Sequence, residues 1–125
     1  MSQYGIESFG VLTTLAAYHI VAANTAGSNN VLYAAGATIR PIGVTKDTVK
    51  DTTGAIAVAI AGIAKVQCND TFSSGSMIAA DATGLGVKHA DTTAGSYVIG
   101  VALQPCAATG TLVDLVVQPH FKSIP

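Results

Sequence analysis

The residues of this 125-residue chain that could do chemistry are three histidines (His19, His89, His120), two cysteines (Cys68, Cys106), the serines of residues 73–76 and a few carboxylates. Catalysis needs a base or nucleophile held beside a second polar group, and the three histidines fall in a candidate strand, a loop and a tail without matching partners. Ser73, Ser74 and Ser76 lack the strand, elbow and helix that expose a serine nucleophile. No phosphate loop, dinucleotide fingerprint or zinc spacing occurs. Cys68 and Cys106 form neither a CxxC pair nor a metal-ligand set; they read as free core thiols, which suits a reducing compartment, with a disulfide as the alternative. Asp81 stands in DATG and Asp91 in HADTTAG, where Asp and Gly build turns, so both read as turn formers. A biotinyl or lipoyl carrier would need a modifiable lysine at a hairpin tip, but Lys65 lies in a candidate strand and Lys88 lacks the usual flanking residues. The expectation is no catalytic residue, no cofactor and no metal.

Composition points the same way. Charged residues make up 10% of the chain and hydrophobic ones 50%, against about 25% charged in an ordinary soluble domain. So few charges leave apolar surface unguarded, and part of that surface is expected to be covered by partners. The net charge of −1 offers no field to attract phosphates, so nucleic acid is not an expected partner. Residues 8–39 contain no Asp, Glu, Lys or Arg, yet Thr13, Thr14, His19, Asn24, Ser28, Asn29 and Asn30 break every apolar run well short of the ~20 residues a spanning helix needs. The start of the chain lacks a signal-peptide pattern, with Glu7 where a positive charge is wanted. No membrane association is expected.

The elements that must position these residues are short strands. At this length one core is expected, burying roughly two-thirds of the unfolded surface. Residues 1–15 show no sustained period and read as an N-terminal arm, which either packs back on its own domain or docks on a neighbour. The β domain is expected over 16–125. AAYHIVAA (16–23) is the first candidate strand, and AGSNN (26–30) a turn. In VLYAAGATIRPIGVT (31–45), Pro41 and Gly43 suggest an edge or a bend. Residues 46–54 read as a solvated loop. AIAVAIAGIAKVQC (55–68) alternates large with small, placing Ile56, Val58, Ile60, Ala64, Val66 and Cys68 on one face. Gly62 inside that run and Gly100 inside YVIGVAL suggest corners or bulges where the sheet curls. In YVIGVAL the large face is Tyr97, Ile99, Val101 and Leu103. In TLVDLVVQP, Val113, Leu115 and Val117 point inward and Asp114 outward, and Pro119 ends the strand. SSGS (73–76) and DATG, with Asp81 and Gly84, are turns. The fold class is therefore mainly β: a small single-domain β-sandwich or partly closed barrel, with an extended N-terminal arm and at most short helical turns.

The order GIAKV, SGSMIAADATG, YVIGVALQPCAATG and TLVDLVVQP resembles the phage capsid cement, or head decoration, proteins, a small β-rich family long catalogued as of unknown function. Its pattern is matched by Gly62, Ala64 and Val66; Gly75, Ile78, Asp81 and Gly84; Ile99, Gly100, Ala102 and Leu103; Ala107, Ala108 and Gly110; and Val113 with Leu115. YHIVAA (18–23) and PIGVT (41–45) agree more loosely, and residues 1–15 give no match.

What the resemblance implies is a non-enzymatic protein on the outer surface of an assembled phage capsid, made in the host cytoplasm. It would bind the major capsid protein and its own copies, commonly as a trimer at threefold or quasi-threefold positions, and staple the shell. Tyr4, Ile6, Phe9, Val11 and Leu12 of the arm are the candidate contacts, and removing residues 1–10 is expected to weaken capsid binding while leaving the domain folded. The alternative is a receptor-binding or fibre-base β module of a virion, which should carry an aromatic or carbohydrate-binding patch, although the chain has no Trp.

Overall fold

The computed structural model describes residues 6–11, 15–23, 30–36, 39–46, 55–89 and 96–122. Ten strands form: β1 Ile6–Val11, β2 Ile20–Ala23, β3 Asn30–Tyr33, β4 Pro41–Thr45, β5 Ala55–Ala59, β6 Gly62–Gln67, β7 Met77–Ala80, β8 Gly86–Lys88, β9 Ser96–Ala102 and β10 Leu112–Lys122. No helix occurs among the described residues. The strands β1-β3-β2-β4-β5 close into a barrel, and β6-β10-β9-β7-β8 make a second, antiparallel sheet beside it.

The alternation in 55–68 is cut in two by Gly62. Its φ of +83° is a conformation that L side chains rarely adopt, and it turns the chain out of the barrel into the second sheet. The face expected from sequence survives the crossing. Ile56 and Val58 pack with Leu15, Val21 and Val31 on the inner side of the barrel strands. Ala64, Val66 and Cys68 join the larger core, where Ile20, Ala22, Val44 and Ala59 of the barrel meet Ile78, Ile99, Ala102, Val113, Leu115 and Val117 of the second sheet. β2 is buried on both sides: Ile20 and Ala22 face the shared core and Val21 the barrel.

Several expectations are corrected by pairing. Ile6–Val11 is a strand of the barrel, antiparallel to β5 and parallel to β3. Of the two alternatives for the N-terminal stretch, packing on its own domain is therefore the one seen for these residues. Removing residues 1–10 would take away the strand that closes the barrel, so it would not leave the domain intact. β4 is not an edge, since it pairs with both β2 and β5. Pro41, which has no N–H to donate, heads the strand where the β2 register shifts. Pro119 does not end the last strand either: β10 runs on to Lys122, and the register against β9 slips between Val117 and His120, a bulge that accommodates the missing donor. Gly100 is no corner. It lies within β9, where a Cβ would collide with the Val116 carbonyl of β10.

Cys68 and Cys106 are not free thiols. They are joined by a disulfide, with the sulfurs 2.07 Å apart, and the reducing-compartment reading that rested on free thiols falls with them.

The turn expected at Asp81 and Gly84 joins β7 to β8 and ties the two sheets together. Asp81 Oδ1 accepts the N–H of Thr83 (2.8 Å) and Leu85 (2.9 Å), and Oδ2 accepts from Asn69 (2.8 Å). Gly84, with φ +83°, receives on its carbonyl the Ile20 N–H of the barrel at 2.6 Å. A Cβ on Gly84 would stand 2.6 Å from the Ile20 carbonyl oxygen. Gly84→Ala combines backbone strain with this clash and is expected to cost about 2–4 kcal/mol, read as a lowered midpoint in urea unfolding.

Burial pushes the Asp81 carboxyl pKa up, but the hydrogen bonds from the Thr83 N–H, the Asn69 amide, the Leu85 N–H and the Thr83 hydroxyl outweigh it and hold the group below its ordinary value of 3.8. A depressed carboxyl contributes its stability in full above that ordinary value and loses it as pH falls through the folded-state pKa. The expected result is a fall in melting temperature below about pH 4 that is shallower in Asp81→Asn, checked by thermal melts from pH 7 to 2.5.

Candidate interaction surface

The sequence-predicted chemistry does not assemble. His19 is half-buried, stacked on Tyr33 at a ring distance of 4.8 Å, with Nδ1 2.8 Å from the Ala17 carbonyl. His89 is buried, and His120 lies in β10. Asp91 is outside the described residues. Ser73 and Ser74 are exposed turn residues and Ser76 is half-buried; Ser74 donates to the Leu103 carbonyl. Lys65 is ion-paired to Asp114 at 2.9 Å, and Lys88 lies exposed in β8. Among the described residues no three of His, Cys, Asp and Glu gather as a metal site.

What the fold does build is an apolar band on the outer face of the second sheet. Register places Ile63 of β6 opposite Val116 of β10, Val116 opposite Val101 of β9, and Val101 opposite Met77 of β7. One row of four apolar residues thus crosses four adjacent strands. Ile63 is 66% exposed and Met77 38%, while Val101 and Val116 are half-buried. One pair of residues further along comes the Lys65–Asp114 ion pair, with Leu103 donating its N–H to the Asp114 carbonyl beside it. Leu103 (44% exposed) and Leu112 (40%) extend the apolar surface around that pair. An exposed ion pair of this kind stabilises by at most about 1 kcal/mol, so its effect is to give the apolar face a fixed polar landmark. Large side chains gathered on the open face of a sheet make this face a candidate interaction surface.

This face was missed because Tyr97, Ile99, Val101 and Leu103 of YVIGVAL read only as one large face. Toward the end of β9 it is Ala102 that faces the core opposite Leu115, while Val101 faces out. The available signal was that Ile63 falls off the large-residue parity of the run 55–68; Met77 gave none, since Ile78, Ala79 and Ala80 after it are all buried. Of the arm residues singled out as contacts, Ile6, Phe9 and Val11 lie in β1, and Tyr4 and Leu12 are outside the described residues.

Beside the band, a cleft of about 340 Å³ opens between β6 and the barrel, lined by Tyr18, Thr45, Lys46, Ile63, Ala64, Lys65 and Asp114. Tyr18 has a φ of +67°, a conformation that costs a non-glycine residue about 1–3 kcal/mol. It is held there from both sides. Its N–H donates to Thr45 of the barrel and its carbonyl accepts from Gln67 of β6, each at 2.8 Å. Thr45, buried, uses its hydroxyl to donate to the Ala16 carbonyl (2.7 Å) and to accept the His19 N–H (3.0 Å).

No protein-family model matches this chain, and no curated protein matches it in sequence. A solved structure does: the N base of the head fiber gp8.5 in bacteriophage phi29 is similar over 90% of this chain and 92% of that one, with a TM-score of 0.68 and 20% sequence identity. What the two share is the fold. The similarity spans both sheets, so the barrel and the second sheet recur together as one architecture.

Proposed function

We propose that this protein is a structural component of a phage particle that sits on the outside of the head. The observation that carries this reading is the likeness in fold, across nearly the whole chain, to a head-fiber base. The ordered motifs that resemble those of the capsid cement proteins support it, as does a chain poor in charge. In this reading the band Ile63–Val116–Val101–Met77 faces the major capsid protein. Burying a side chain of this size stabilises by about 1.5–3 kcal/mol, and three copies around a threefold or quasi-threefold position add their contacts through effective concentration. The role is to staple neighbouring capsid subunits, with no chemistry performed. The test is co-sedimentation with emptied heads followed by heating: decorated heads should rupture at a higher temperature than bare ones.

A second reading, a fibre base, has the phi29 likeness in its favour. It keeps the head-facing band and replaces stapling with the anchoring of a distal structure. Binding to heads with no change in their rupture temperature would favour it.

A further inference from the structure

The Lys65–Asp114 ion pair stands inside the apolar face, not at its rim. Register puts three pairs in line along β6 and β10: Ile63 with Val116, Lys65 with Asp114, and Gln67 with Leu112. Same-face neighbours on a strand are two residues, about 7 Å, apart. Apolar side chains therefore stand one step from the ion pair on either side, and exposed Leu103 lies beside Asp114 on the β9 side. A stable interface takes about 800 Å² from each partner, far more than one row of four side chains, so a partner that covers the row also takes water from the ion pair. That is costly unless the covering surface makes up the lost hydrogen bonds. The pair has capacity for them. An ammonium has three donors and a carboxylate two acceptor oxygens; one donor and Oδ1 are used, at 2.9 Å. With that bond made, the Lys65 side chain remains 52% exposed and that of Asp114 31%. The face thus presents a donor and an acceptor side by side. Both are held in place by the backbone of Asp114, whose N–H donates to Gln104 Oε1 (3.0 Å) and whose carbonyl accepts from Leu103 (2.8 Å).

Building on the head-binding reading, we infer that the capsid surface opposite this face carries the side-chain carboxamide of an Asn or Gln, whose oxygen accepts from Lys65 and whose NH2 donates to Asp114 Oδ2. Charge complementarity selects this group. A carboxylate would meet Lys65 but be repelled by Asp114, and a cation would meet Asp114 but be repelled by Lys65. A neutral group that holds an acceptor and a donor together satisfies both, and it brings no charge of its own to desolvate. The ion pair then sets where the shell docks, while the apolar row supplies the burial.

The test is pelleting of the full chain with emptied heads of the phage that encodes it, over a concentration series, with a urea melt of each variant as a check on folding. Four variants join the parent: Lys65→Met, Asp114→Ala, the two combined, and the exchange Lys65→Asp with Asp114→Lys. Each single change leaves a lone charge under the interface, and about a hundredfold weaker binding is expected. The combined change strands only the neutral carboxamide, and about tenfold weaker binding is expected. The exchange should stay within about tenfold of the parent, because a carboxamide turned over by a half rotation swaps its oxygen and nitrogen. Equal or tighter binding by the combined variant would overturn the inference, since a pair that is merely tolerated binds better once apolar groups replace it. A single change that tightens binding would overturn it in favour of a charged group on the shell, and an exchange variant as weak as the single changes in favour of an opposed ion pair. Those outcomes leave the head-binding reading standing as long as Ile63→Ser with Met77→Ser strips the protein. A parent chain that fails to pellet with heads overturns that reading and this inference together.

Discussion

Replacing Ile63 and Met77 together by Ser should strip the protein from phage heads while leaving it folded. Both side chains stand out from the second sheet, 66% and 38% exposed, so the free protein loses little by their removal and its unfolding free energy should stay within about 1 kcal/mol of the parent. At an interface the balance reverses. The two side chains close the ends of a continuous row through Val116 and Val101, and withholding them from burial is expected to cost about 2–4 kcal/mol per copy. At 1.4 kcal/mol per decade this is roughly thirty- to a thousandfold in affinity, and simultaneous contacts by several copies would multiply the loss. The measurement is the fraction of protein pelleting with emptied heads across a concentration series, beside a urea melt of each variant. The Lys65→Ala change, which breaks only an exposed ion pair, should be nearly silent in the urea melt.

An effect on stability as large as that of Gly84→Ala should come from the disulfide. Cys68 and Cys106 are separated by 38 positions, and closing a loop of that size restricts the unfolded chain enough to stabilise the fold by about 2–4 kcal/mol. The bridge pins the end of β6 to the segment between β9 and β10. That region keeps its own support, since Cys106 and Phe72 exchange two backbone hydrogen bonds (2.9 and 3.1 Å) and the Gly110 N–H donates to the Cys68 carbonyl (2.7 Å). The reduced protein is therefore expected to fold, with a melting temperature lower by on the order of 10 °C. Calorimetry with and without reductant, and of the double variant Cys68→Ser with Cys106→Ser, checks this. An unchanged melting temperature together with two titratable thiols in the untreated protein would refute the bridge.

How far the sequence could be read depended on whether a strand has one covered face or two. The run 55–68 was readable because its large residues keep one parity through Gly62, and Ile56, Val58, Ala64, Val66 and Cys68 are buried on both sides of it, although in β5 the small Ala59 of the other parity is buried too. Val113, Leu115 and Val117 were readable for the same reason, and so was the Asp81–Gly84 turn, whose side-chain and backbone chemistry is local. Residues with neighbours on both faces were not. β2 buries Ile20, Val21 and Ala22 alike, and β9 carries apolar residues outward, so alternation in those strands does not say which side is the core. The pairing of β1 was also out of reach, because its partners β3 and β5 are distant in sequence. Pro119 misled because a bulge is a property of two strands and only one of them contains the proline. The absence of a catalytic set in the sequence pointed to a surface, but only register could show which residues form it.

The measurement that bears most directly on the central proposal is a cryo-electron microscopy reconstruction of heads of the phage that encodes this protein, stripped and then re-decorated with it. The expected map has added density on the outer surface, grouped in threes, into which the barrel and second sheet fit with Ile63, Val101, Val116 and Met77 against the shell. Heads indistinguishable from stripped ones after incubation with excess protein, or density on the inner surface, would contradict it.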